Sequence, residues 1–265
     1  MKSEFLMHAF IIRSGKRDVR KLEEALATCE VSSISFVPGV FFDKARAFDK
    51  NLVDLPRAEL LLGREISSPE IGCALAHNEA RRRASEVKDF SLILEDDAVI
   101  PYPLALRDLI LIFEGKYHLT SHIVANLGIN LPWSLTSERS TSELRIRSSM
   151  GASPLALAYL VTPFSSWKLL QSNTPVQYIA DWPAANVKWL KLSKPLVFHG
   201  ESTNQSLISP MQGKLRAGET VAFKLNRYLG IEYLVRRRDY RGFKDFLSNV
   251  WIPRVKSLLT ARLGV

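Results

Sequence analysis

The chain has 265 residues, 46% hydrophobic and 24% charged, the balance of an ordinary globular protein with one sizeable core or a core plus an appendage. Its two cysteines exclude a disulfide-stapled scaffold and fit a reducing compartment. The net charge of +9 is unevenly spread: residues 211–265 hold twelve Lys/Arg against four acids, a net of +8, so the rest is nearly neutral and the tail suits an anionic surface.

No apolar run approaches the roughly 20 residues that span a bilayer. The start, Met1-Lys2-Ser3-Glu4-Phe5, has no signal-peptide core. The expectation is a cytoplasmic protein, peripheral on the inner face of the cytoplasmic membrane.

His8 to Ile12 reads as a buried strand, and Arg13 to Arg17 as a polar loop around Gly15. Asp18 is placed to cap a helix whose apolar positions Val19, Leu22, Leu26 and Cys29 recur at helical spacing. Ile34 to Val37 is a second strand closed by Pro38-Gly39. This strand–helix–strand start predicts a parallel sheet with right-handed crossovers. Residues 42–65 read as charged and irregular. A helix then opens with Ser68 as N-cap and Pro69 at its first position, and runs through Arg83. Ser91 to Leu94 is a central strand, and Leu109 to Phe113 a buried helix face, with Pro101 and Pro103 suggesting a break before it. Strands at Ile123–Leu127 and Leu155–Val161, a short helix at Phe164–Leu170 and a strand at Leu196–His199 follow. After Pro210 two basic amphipathic helices are expected, Val221–Leu234 and Phe243–Leu259. The boundary falls near residue 210, giving a main domain over 1–210 and a basic helical tail over 211–265.

The most telling stretch is Leu92-Ile93-Leu94-Glu95-Asp96-Asp97-Ala98-Val99. Adjacent carboxylates at a strand end repel one another, and a cation among them relieves this. Strand alternation points Glu95 and Asp97 the same way and Asp96 the other, so Glu95 and Asp97 can serve one Mn²⁺ or Mg²⁺. The alternative is a solvated acidic turn. Position after a buried strand favours the site, because open α/β sheets bind ligands beyond the carboxyl ends of strands. Upstream, Cys73 and His77 are four apart on one helix face. They could be a zinc pair, but no second Cys/His pair has usable spacing; a satisfied core histidine is the other reading. Gly72 within that helix is unfavourable by about 1 kcal/mol and suggests a close approach.

Ser68-Pro69-Glu70-Ile71-Gly72-Cys73-Ala74-Leu75-Ala76-His77, followed by the strand ending in Glu95-Asp96-Asp97, resembles glycosyltransferase family 25. Members carry a Glu-Ile/Val-Gly-Cys helix ending in Ser-His, then a strand ending in Glu-Asp-Asp; Ala76 stands where they carry Ser. The resemblance spans residues 8–200 and is strongest over 67–98. It implies an α/β protein of GT-A type, a Rossmann-like mixed sheet flanked by helices. It implies inverting transfer of a hexose, galactose or glucose, from a UDP-sugar to a lipid-linked glycan such as lipooligosaccharide. It implies Mn²⁺ or Mg²⁺ on the diphosphate, with Glu95 and Asp97 resembling the Asp-x-Asp motif and His199 as a third ligand. Contacts to the nucleotide sugar would come from Arg13, Arg17, His77, Glu95 and Asp96.

Asp181, beside Trp182, suits a general base on the acceptor hydroxyl, or a helix N-cap. His199 could instead be a surface residue. The run Arg236-Arg237-Arg238-Asp239-Tyr240-Arg241 fits an anionic membrane, with Phe243, Phe246 and Trp251 nearby; nucleic acid is the less favoured partner. Two further classes stay open: a metal-dependent phosphatase or nuclease, and a degenerate, non-catalytic transferase docking through its tail.

Overall fold

The computed structural model describes residues 7–15, 17–41, 51–62, 65–128, 136–137, 146–149, 157–180, 185, 187–192 and 194–200. The expected tail helices, the boundary near residue 210 and Asp181 all lie outside them.

The opening runs β1 (His8–Arg13), α1 (Arg20–Thr28) and β2 (Ser33–Pro38), and β1 and β2 pair in parallel. Helix α2 (Leu55–Leu62) and helix α3 (Ser68–Glu86) lead to β3 (Ser91–Glu95), which lies parallel to β1 on its other side. Then follow β4 (Ala98–Val99), α4 (Pro103–Lys116), β5 (Ile123–Asn126), β6 (Thr136–Ser137), β7 (Ile146–Ser149), β8 (Ala158–Val161), α5 (Pro163–Ser172), β9 (Lys188–Leu192) and β10 (Phe198–His199). The sheet order is β2-β1-β3-β8-β5-β9, continued by β7 and β6 at one edge. The sheet is mixed rather than parallel. Strand β8 runs antiparallel to both β3 and β5, whereas β5 and β9 are parallel. Strand β4 pairs separately with β10, antiparallel.

Both faces of the central strands are buried, as their unbroken apolar runs require. Ala9, Ile11, Leu92 and Leu94 join α1 and α4 in one core layer. Phe10, Ile12 and Ile93 join Ala76, Ala80 and Ala84 of α3 and Leu169 of α5 in the other. The small α3 residues let that helix lie close to the strands. This strict alternation fixes where the next side chain goes: Glu95 follows Ile93 onto the α3 face.

Several expectations need correction. The N-cap of α3 is Ser67, not Ser68, and it forms a capping box with Glu70. Glu70 Oε2 accepts from the Ser67 amide at 2.9 Å and from Ser67 Oγ at 2.9 Å. Pro103 is the first residue of α4, so the break expected at Pro101 and Pro103 does fall just before that helix; a first-turn proline gives up no helical hydrogen bond. The stretch read as irregular contains α2, and the α1 cap position is Val19, with Asp18 Oδ1 accepting from the Arg20 amide at 3.0 Å. Among the described residues, no helix is long and apolar enough to cross a membrane.

Candidate functional site at the carboxyl end of the sheet

The Glu95-Asp96-Asp97 triplet stands where β1 and β3 end side by side. Strand β3 stops at Glu95, and Asp96 and Asp97 form a turn leading into β4. The expected shared direction of Glu95 and Asp97 therefore fails: alternation ends with the strand, Glu95 stays on the α3 face, and Asp96 and Asp97 in the turn both face Arg17.

Asp96 is buried and closes the β1–α1 loop. Its Oδ2 accepts from the Ser14 amide at 2.7 Å and from Ser14 Oγ at 2.6 Å. Its Oδ1 accepts from Arg17 Nη1 at 2.7 Å. Between these donors Gly15 takes φ +80°, a left-handed conformation that favours glycine. Burial alone would lower the Arg17 pKa, but the Asp96 hydrogen bond and the acidic neighbours outweigh it and hold the guanidinium charged. The same Nη1 lies 3.7 Å from Asp97 Oδ2. Arg13, exposed at the end of β1, sits over the Phe36 ring at 5.2 Å. Arg20 is paired with Asp18 instead.

Asp97 meets a residue from far along the chain. The β4–β10 pairing sets His199 opposite Ala98, and His199 Nδ1 lies 3.4 Å from Asp97 Oδ2. The Gly200 amide donates to the Asp97 carbonyl at 2.8 Å, fastening the same corner. Burial tends to raise the Asp97 pKa; the His199 hydrogen bond and the Arg17 charge overcome that and hold it below its ordinary value. Asp97 Oδ1 is buried with no hydrogen-bond partner among the described residues. An unsatisfied carboxylate oxygen of this kind is costly without a donor or a cation, so Asp97 and His199 fit a divalent metal.

Glu95 belongs to another group. Its Oε1 is 3.1 Å from His77 Nε2 and 3.6 Å from Cys73 Sγ. His77 Nδ1 is 3.0 Å from the Tyr159 hydroxyl, which accepts from Arg81 Nε at 3.2 Å. Arg81 is fully enclosed, 1% exposed, and also donates to Asn78 Oδ1 at 3.2 Å. Burial pushes the His77 imidazole below its ordinary pKa, so the ring is neutral near pH 7. Arg81 can only donate, so the hydroxyl proton of Tyr159 is directed to His77 Nδ1, and Nε2–H then donates to Glu95. These assignments make the chain run in one direction with every partner satisfied.

Helix α3 also anchors the segment that follows α5. Asn78 Nδ2 donates to the Asn173 carbonyl at 2.7 Å, and Asn173 Oδ1 accepts from the Gln177 and Tyr178 amides at 3.0 and 2.9 Å. Tyr178, Ile179 and Ala180 are buried.

The structure thus brings Asp96, Asp97, Arg17 and His199 to one corner, and Cys73, His77 and Glu95 to a second. Sequence reading missed Ser14, Tyr159 as a hydroxyl partner, and Arg81. Arg81 carried a signal: it is four residues after His77, on the face lined by Ala80 and Ala84. Compared with protein-family models and with curated proteins, the chain matches none.

Proposed function

We propose that this chain is a metal-dependent glycosyltransferase of GT-A type that transfers a hexose, galactose or glucose, from a UDP-sugar to a lipid-linked glycan with inversion. The observation that carries the reading is the meeting of Asp97 and His199, 102 positions apart in sequence, with Asp97 Oδ1 buried and unpartnered. They stand beyond the carboxyl ends of parallel strands, where open α/β sheets take their ligands.

Asp97 and His199 would hold Mn²⁺ or Mg²⁺. Such an ion, when bound, stabilises the charge that develops on a nucleoside-diphosphate leaving group. The chain's own residues do the rest. Asp96 holds Ser14 and Arg17 in place, so the β1–α1 loop presents a fixed cation beside the diphosphate position. Arg13, exposed over Phe36 at the end of β1, is a further cation for the nucleotide. Asp181 takes the proton of the acceptor hydroxyl as it attacks the anomeric carbon. The basic segment around Arg236-Arg237-Arg238 draws the enzyme to anionic lipid.

The test is transfer or hydrolysis of UDP-hexoses with and without Mn²⁺. Asp97→Ala abolishes turnover while the circular dichroism melt persists, and Asp181→Asn lowers turnover with donor affinity kept. Full activity in the Asp97→Ala protein would sink the reading. Replacing Arg236, Arg237 and Arg238 by Glu weakens binding to anionic liposomes; unchanged vesicle affinity removes the membrane role.

A further inference from the structure

We infer that Cys73, His77 and Glu95 form a second metal site, distinct in chemistry from the Asp97–His199 corner and selective for zinc. The three ligand atoms lie within 4.8 Å of one another and are the one such group among the described residues. Zinc bonds of about 2.0 Å to nitrogen and oxygen and about 2.3 Å to sulfur imply tetrahedral edges of roughly 3.3 Å for N···O and roughly 3.5 Å for S···O. The observed edges to Glu95 Oε1 are 3.1 Å and 3.6 Å. A cation could enter with only small side-chain adjustments.

The supporting structure suits a metal ligand. Cys73 and His77 are one turn apart on α3, and Glu95 is delivered to the same face by β3. His77 is fixed at its other nitrogen by the Tyr159 hydroxyl, itself held by Arg81, the kind of outer partner that orients ligating imidazoles. Coordination through Nε2 requires the proton on Nδ1. Tyr159 oxygen has two lone pairs, so it can accept from both Nδ1–H and Arg81 Nε–H after its own proton turns away. Binding then releases one proton to solvent, from the Cys73 thiol, and leaves the imidazole neutral.

Ligand type separates the two corners. A thiolate with an imidazole and one carboxylate favours zinc, whereas Mn²⁺ and Mg²⁺ prefer oxygen-rich shells. Three protein ligands leave the fourth position to water, the pattern of open rather than closed zinc sites. The inference stands apart from the transferase reading, since it needs neither donor nor acceptor.

Cobalt titration of the full-length protein, stripped of metal by chelator, tests it. The chain has two cysteines. Cys29 packs in the opposite core layer and donates its thiol to the Pro103 carbonyl, so it serves as an internal control. The expected result is a thiolate-to-cobalt charge-transfer band whose intensity corresponds to one thiolate-bound Co²⁺ per chain, displaced by Zn²⁺. Cys73→Ala abolishes the band, and Tyr159→Phe weakens binding about 10–100-fold as a lost outer partner does. Asp97→Asn leaves the band in place, which separates this site from the proposed donor metal. No band in the unaltered protein, a band surviving in Cys73→Ala, or a band lost in Asp97→Asn would each overturn the inference.

Discussion

Glu95 and Asp97 are two residues apart and carry the same functional group, yet they are held in opposite ways. Glu95 is the last residue of a buried strand and meets His77 and Cys73 of helix α3. Asp97 sits in a turn and meets Arg17 from the β1–α1 loop and His199 from β10. The first group is built on regular elements and rests on a fully buried arginine. The second is built on a loop, a turn and the two-residue β10, and leaves Asp97 Oδ1 without a hydrogen-bond partner among the described residues. The lesson concerns strand ends: while pleat alternation lasts, a side chain is committed to one core layer, and one residue later turn geometry decides.

If that division is real, the largest effect comes from the support of the Glu95 group. Arg81→Ala removes a buried cation bonded to Tyr159 and Asn78 and leaves a cavity between α3 and β8. It is expected to destabilise the fold by about 3–5 kcal/mol in urea unfolding. A loss below about 1 kcal/mol would mean that Arg81 is not sealed in. Asp96→Ala comes next, at about 2–3 kcal/mol, because one charge-assisted hydrogen bond to Arg17 and two bonds to Ser14 are lost together. Hydrogen exchange should quicken over residues 13–18 and stay slow in α3. Equal quickening in α3 would merge the two groups into one unit.

Acid separates them by pH window. Burial holds His77 below its ordinary value of 6.5, so the unfolded chain binds a proton first as pH falls. Its contribution is complete above about 6.5 and is lost on descent through the lower folded value, by at most about 1.4 kcal/mol per pH unit. Asp97 is also held below its ordinary value, 3.8, so its contribution is complete above that value and lost only further down. Urea unfolding in chelator should show stability already declining between pH 6.5 and pH 5. That decline should vanish in His77→Gln while the loss at lower pH remains. A wild-type decline that starts only below pH 4 would contradict a neutral, enclosed His77.

The parts of the fold legible in sequence were those with strong local pattern. The runs at β1, β3 and β5 and the Ser-Pro-Glu opening of α3 announce themselves through apolar continuity and capping chemistry. Strand β9 does not, because Lys188 and Lys191 interrupt Lys-Trp-Leu-Lys-Leu. Lys191 is nevertheless buried, and desolvation pulls its pKa down to about 8. The reversed direction of β8 was also illegible, since four buried residues pair equally well either way. At the site, residue types were readable but their partners were not. His199 reaches Asp97 only through the two-residue ladder of β4 and β10. Cys73 and His77 looked like half a site because the third group is 18 residues beyond His77, on another element.

The smallest effect tests the comparison most selectively. Ser67 caps α3, and α3 supports Glu95 through Cys73 and His77 but contributes nothing to the contacts of Asp96 and Asp97 given above. Ser67 Oγ accepts from the Glu70 amide at a long 3.4 Å, while Glu70 Oε2 keeps a second donor in the Ser67 amide. Ser67→Ala should therefore cost only about 1 kcal/mol. Its signature is positional: faster amide exchange over residues 68–73 and shifted His77 ring resonances, with Ser14 and His199 resonances unmoved. If the His199 signals move as far as those of His77, the turn after Glu95 does not isolate the two carboxylates, and they respond to the helix as a single cluster.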